Sequence, residues 1–159
     1  MTFASAEALI AAGLTPDVLS TDLHQMSHFG PAVISSDAAG SAFIRVRDDE
    51  TPKFDLPTCL GKFMALGLTL EEVIEAASAR PAALLGRSGE LGTLAPGARA
   101  DLAVFELFER PLEYRDVTGA VRRGSQGLEN VTTVIGGRVA EPLAAAPPAP
   151  WVDLVASDG

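Results

Sequence analysis

At 159 residues the chain has room for one ordinary domain or slightly more, and its 47% hydrophobic content supports a buried core, not a disordered chain. The net charge of −9, set by 21 acids against two Lys and ten Arg, repels nucleic-acid phosphate, and no basic patch is interleaved with aromatics. No apolar run approaches the roughly 20 residues of a membrane span, and Met1-Thr2-Phe3-Ala4-Ser5 lacks the basic start and apolar stretch of a secretory signal.

In chain order, Ser5 to Ala12 predicts a short helix capped by Ser5 and stopped by Gly13. Thr15-Pro16 forces a turn. Asp17-Val18-Leu19-Ser20 follows as a short strand-like run leading into Thr21-Asp22-Leu23-His24. Helix, tight turn and short buried strand together read as one unit of an α/β fold. Residues 29 to 54 are interrupted by Pro31, Gly40 and Pro52 and carry a charge cluster from Arg45 to Glu50. They read as an exposed loop or insertion, with Ala42 to Val46 as a candidate strand.

Helices come next. Leu60, Phe63, Met64 and Leu66 share a face of a helix from Leu56 to Leu66, which Gly67 ends. Thr69-Leu70-Glu71-Glu72 fits a capping box, and the helix it opens runs until Pro81 breaks it. Ala82 to Leu85 makes one more turn before Gly86. Beyond Gly86 the texture becomes β-rich. Ala100 to Leu107 and Asn130 to Ile135 are strands, and Gly136-Gly137 turns the second into Arg138-Val139-Ala140. Residues 141 to 159 carry an Ala/Pro tract and read as a loose tail.

Several residues bear on chemistry. Cys59 is the single cysteine, so an internal disulfide is excluded and a reducing cytoplasm is the default compartment. No Cys or His lies near it in sequence, which favours a small buried apolar side chain over a reactive thiol. Asp22, taken alone after a short strand, is more often a turn or helix-cap residue than a catalytic carboxylate. With His24 and His28 it places three candidate metal ligands within seven residues. The histidines read more readily as exposed loop residues, because ligands on one loop need support from elsewhere.

Three segments together resemble the amidohydrolase superfamily. The run Pro16-Asp17-Val18-Leu19-Ser20-Thr21-Asp22-Leu23-His24 is similar to the end of the last barrel strand in its metal-dependent deacetylase, or dihydroorotase-like, branch. Phe54-Asp55-Leu56-Pro57-Thr58, with Lys62-Phe63, Leu66-Gly67 and Glu72-Val73-Ile74, is similar to the helices after that strand. Arg80-Pro81-Ala82, Leu85-Gly86, Gly92-Thr93-Leu94, Gly97 and Ala100-Asp101-Leu102-Ala103-Val104 look like the exit from the barrel into a small β-sandwich, which Gly136-Gly137-Arg138-Val139 closes.

The resemblance covers residues 5 to 140 and implies an α/β chain: the C-terminal fragment of a (β/α)8 TIM-barrel metallohydrolase plus part of its β-sandwich. It divides the chain into a last βα unit with its following helices over 1–86, a sandwich portion over 87–140 and the tail. It implies hydrolysis of an N-acyl or O-acyl bond of a small acid by metal-activated water. Asp22 is then both metal ligand and catalytic proton shuttle, and His24 a substrate-binding residue. The implied cofactor is a divalent metal, zinc above all, and the implied partner a small acylated substrate. Asp101, in the most recognisable stretch, has a structural place at a strand entrance.

The family's binuclear site also takes a His-x-His pair, a bridging carboxylated Lys and two further histidines. This chain has only His24 and His28 and no His-x-His, while Lys53 and Lys62 stand away from the bridging position. A complete barrel also needs on the order of 200 residues. The expectation is an incomplete, inactive chain with open strand edges and uncovered apolar surface, inclined to form a homo-oligomer or to need a complementing N-terminal chain. The alternatives are one chain of a split enzyme, or a non-catalytic binding or oligomerising module.

Overall fold

The computed structural model describes residues 2–21, 32–36, 42–46, 55–116 and 118–140. The first helix, α1, spans Phe3–Ala11. It begins two residues earlier than expected because Thr2, not Ser5, is the cap: the Thr2 hydroxyl accepts the Ser5 N–H at 3.2 Å. Residues 17–20, expected as a strand, form no strand among the described residues: Asp17 is a bend and 18–20 are irregular. An extended backbone becomes a strand only when a neighbour takes its N–H and C=O groups. Here Leu19 instead gives its N–H to the Ala76 carbonyl at 2.9 Å.

Within the segment expected as a loop, β1 (Ala32–Ser36) and β2 (Ala42–Val46) pair antiparallel, Ala32 opposite Val46 and Ser36 opposite Ala42. This corrects the loop reading and keeps the strand expected at 42–46. Val33, Ile34, Phe43 and Ile44 favour pleated backbone.

Helix α2 (Leu56–Ala65) is capped by Asp55, whose carboxylate accepts the Thr58 N–H at 2.8 Å. Leu60 and Phe63 are buried on the expected face, with Met64 and Leu66 packed beside them. The capping box of α3 (Leu70–Ala77) is present as read: Glu72 accepts the Thr69 N–H at 2.7 Å, and Thr69 accepts the Glu72 N–H at 3.2 Å. The helix stops at Ser78, three residues before Pro81. The Ser78 hydroxyl donates to the Ile74 carbonyl at 2.6 Å, and its backbone leaves helical geometry at φ −136°, ψ −76°. Pro81 instead lies in the first turn of α4 (Ala79–Leu84), where a missing N–H costs no helical bond.

Strands β3 (Leu102–Arg115), β4 (Val121–Ile135) and β5 (Arg138–Val139) form an antiparallel sheet in the order β3-β4-β5. Both long strands exceed the expected ones. Charged residues such as Glu106, Glu109 and Glu113 mask the alternation, and an irregularity between Glu109 and Leu112 absorbs Pro111, which has no N–H for the ladder. Gly136 and Gly137 make the β4–β5 turn at φ 57° and 79°, a left-handed pair that side chains resist. Asp101 closes this corner by accepting the Gly136 N–H at 2.7 Å and pairing with Arg99 at 2.7 Å.

Helices and sheet share one core. Leu19, Leu60, Phe63, Leu68, Val73 and Ala76 form its buried centre, and Leu128 of β4 packs against it. Tyr114 of β3 is buried where the sheet meets α2. Its hydroxyl donates to the Gln126 carbonyl at 3.1 Å, and its ring lies against Gly61 and Gly124. A Cβ on Gly61 would stand 2.8 Å from Tyr114 Cζ. Gly61→Ala is therefore expected to destabilise by about 1–3 kcal/mol through overpacking, against the ~1 kcal/mol gain that Ala brings in an open helix. Thermal unfolding of Gly61→Ala, alone and combined with Tyr114→Phe, checks this. A stabilised single variant, or strictly additive effects, would contradict the contact.

Candidate functional site

The candidate site begins where Pro16 to Thr21 crosses the helices. Leu19 is the segment's anchor: its side chain enters the core, only 6% exposed, and its N–H binds the α3 carbonyl of Ala76. One residue on, the Ser20 carbonyl accepts from the Cys59 thiol of α2 at 3.5 Å. Burial pushes the Cys59 thiol pKa up, which fits a packed, protonated sulfur and not a thiolate nucleophile. Burial likewise pushes the nearby Lys62 ammonium down. Thr21, half-buried, is the last described residue before Asp22.

Asp22, His24 and His28 lie outside the described residues. Among the described residues, no group of three or more His, Cys, Asp or Glu side chains comes together to hold a metal ion. No described helix is long and apolar enough to cross a membrane. An open cleft of about 410 Å³ between the α2–α3 turn and β4 is lined by Met64, Leu70, Arg123, Ser125 and Gln126, with no carboxylate, thiol or imidazole on its wall. Arg123 itself pairs with Glu113 at 3.4 Å.

The residues sequence reasoning passed over tie α1 to the sheet. Asp116, at the β3–β4 turn, accepts the Phe3 N–H at the start of α1 at 2.7 Å, the Thr118 N–H at 2.8 Å and hydroxyl at 2.7 Å, and the Ala120 N–H at 3.0 Å. Burial pushes its pKa up, but the hydrogen bonds from Thr118, Phe3 and Ala120 together outweigh this and hold the carboxyl below the ordinary value. Glu7 of α1 takes both sides of the Arg122 guanidinium, at 2.7 Å on one, and that bond draws its pKa down. The Arg122 guanidinium also stands 5.4 Å from the Phe3 ring centroid. The available signal was Asp116-Val117-Thr118-Gly119, an Asx-turn composition, but nothing in it points to a helix more than 100 residues away.

An amidohydrolase family model matches residues 2–140. The chain belongs to the amidohydrolase family. It is 34% identical over 134 residues to a deacetylase of Brucella anthropi, covering 84% of this chain and 28% of the relative. A deacetylase of Agrobacterium fabrum is 34% identical over 143 residues, covering 90% of this chain and 29% of the relative. The chain therefore spans under a third of the curated relatives it matches. Among solved structures, a dihydroorotase matches with TM-score 0.65 and 31% identity over 88% of this chain and 32% of its own. An adenine deaminase matches in fold with TM-score 0.68 and 24% identity, over 89% of this chain and 33% of its own. The mixed α/β architecture described above is thus about one third of an amidohydrolase fold.

The carboxylates at the α1–sheet junction have a pH consequence. A carboxyl whose folded pKa is depressed contributes stability that is present above its unfolded value, near 4, and lost as pH falls through the folded value. Acid unfolding is expected to begin below about pH 4, with a shallower acid limb in Asp116→Asn. Asp116→Ala is expected to cost about 1–3 kcal/mol at neutral pH, because it leaves the Phe3 and Ala120 N–H groups without their acceptor. Denaturant titrations from pH 3 to 7 check both. An acid limb identical in wild type and Asp116→Asn would contradict the assignment.

Proposed function

We propose that this chain contributes the last βα unit of a (β/α)8 metallohydrolase and part of its β-sandwich, and that the activity it serves is hydrolysis of an N-acyl or O-acyl bond of a small acid. The observation that carries this reading is the 34% identity to two deacetylases over 84% and 90% of the chain. Asp22, three residues after Leu19 in sequence, is the residue assigned to the chemistry. The end of a barrel strand is where catalytic groups of this fold stand.

A carboxylate there fits a divalent metal, for which Asp is a good oxygen ligand. When bound, the metal, zinc by analogy with the family, lowers the pKa of its water to about 7. Asp22 would be a ligand that holds the metal and the carboxylate that carries a proton from water to the leaving group. His24 lines the substrate pocket. Of the four histidines in the family's ligand set the sequence offers only His24 and His28. The chain is therefore inactive until the other ligands are supplied by further amidohydrolase sequence, on this polypeptide or on a complementing one.

The sheet supports that need. Leu102, Val134 and Val139 face one another across its three strands in register, with Leu102 37% and Val139 67% exposed. Leu102 and Val139, exposed on either side of the half-buried Val134, are apolar surface open to further packing. The decisive experiment co-expresses this chain with the part of the Agrobacterium fabrum deacetylase that it does not match, and measures zinc content and N-acetyl amino acid hydrolysis. The chain alone is expected to show no turnover. The assembled pair is expected to turn over and to lose about 10²–10⁴-fold of kcat in Asp22→Asn. Turnover by the chain alone would refute its incompleteness, and a fully active Asp22→Asn pair would refute the role of Asp22.

A further inference from the structure

Strand β5 pairs with the side of β4 that β3 does not occupy, at Val134 and Ile135, and the Ala140 N–H carries the ladder on to the Thr133 carbonyl at 2.7 Å. Because β5 runs antiparallel to β4, the chain at Ala140 heads back along β4 toward that strand's first half. Among the described residues no other strand pairs with this side of β4. Further back along β4, at Arg123 to Gln126, lies the open cleft of about 410 Å³. Met64, Leu68 and Leu70 give it an apolar wall, and Arg123 is the charged side chain on it among the described residues. The ion pair of Arg123 with Glu113 is long, at 3.4 Å, and exposed, so it holds the guanidinium weakly.

Residues 141–159 follow Ala140 and lie outside the described residues. Their sequence has two parts, an Ala/Pro run from Pro142 to Pro150 and then Trp151-Val152-Asp153-Leu154-Val155. We propose that this second part docks in the cleft between the α2–α3 turn and β4, as an intramolecular strap across the seam of helices and sheet. Pro142 has no N–H to continue the ladder, so the run beyond it serves as a spacer. Thr133 and Ser125 are eight positions apart, which is about 27 Å of strand at roughly 3.4 Å per residue. The eleven steps from Ala140 to Trp151 cover about 34 Å at the roughly 3.1 Å per residue of a Pro-rich chain, so the spacer reaches the cleft with little slack. Trp151 and Leu154 supply apolar surface for Met64, Leu68 and Leu70. The segment carries Glu141, Asp153 and Asp158 and no Lys or Arg, which complements Arg123. A short tether raises the effective concentration of the anchor to the order of millimolar, so a modest contact is enough to close it.

Trp151 is the single tryptophan, so its fluorescence reads the strap directly in the full chain. Its emission is expected to lie to the blue of a synthetic peptide covering residues 148–159, and acrylamide to quench it about threefold less than the peptide. Ser125→Glu places a like charge at an exposed position on the cleft wall. It is expected to return emission and quenching to the peptide's values, with thermal unfolding of the core unchanged. Should that variant fail to fold, Arg123→Glu is expected to move both readings in the same direction. Emission in the unaltered chain equal to the peptide's overturns the strap. Shielding that neither variant moves overturns the cleft as its seat. Shielding that is lost on dilution puts the tail on a second copy and overturns the intramolecular contact.

Discussion

The close approach of Tyr114 to α2 at Gly61 is the constraint on which the other contacts depend. A phenol ring fills the space that two missing β-carbons leave, on Gly61 below and Gly124 beside it, and its hydroxyl is bonded to the Gln126 carbonyl. The contact lets helices and sheet lie close enough for Leu128 to reach the cluster around Leu60, Phe63 and Val73. Neither layer has a sufficient apolar face of its own, since small units bury too little surface to stand alone. The buried ring is what joins them.

From that shared core the N-terminal residues are held by contacts remote in sequence. Phe3 lies 113 residues from Asp116, and Glu7 115 residues from Arg122, yet both pairs join α1 to the β3–β4 hairpin. Leu19 then re-enters the core beside Ala76, and Ser20 meets Cys59. Residues 16–20 are therefore held by helices that follow them in sequence, and α1 by the turn at Asp116.

The motif residues beyond Asp22 serve the architecture. Thr69 and Glu72 cap a helix, Asp101 closes the β4–β5 corner through Gly136 and Arg99, and Pro81 opens α4. Kinship to the amidohydrolases is thus written largely in caps, corners and turns. It specifies a fold more sharply than a substrate, because substrate choice in such a fold depends on loops at one face of the barrel.

Local rules were enough for much of this in the sequence. The capping box at Thr69, the buried stripe of Leu60 and Phe63, the Gly136-Gly137 turn and the structural place of Asp101 each follow from residues within one or two turns of each other. The family resemblance came from the same runs, and with it the candidate role of Asp22. Tertiary structure decided what local pattern could not. Residues 17–20 form no strand among the described residues, since strand character needs a neighbour. β3 and β4 outrun their apolar alternation, since only one face of each is packed. The α3 helix ends at Ser78 because a side-chain hydroxyl took a backbone acceptor before Pro81 was reached. The partners of Asp116, Arg122 and Arg80 lie 64 to 115 residues away, and a contact across that separation is set by how the layers pack, which no window of sequence contains.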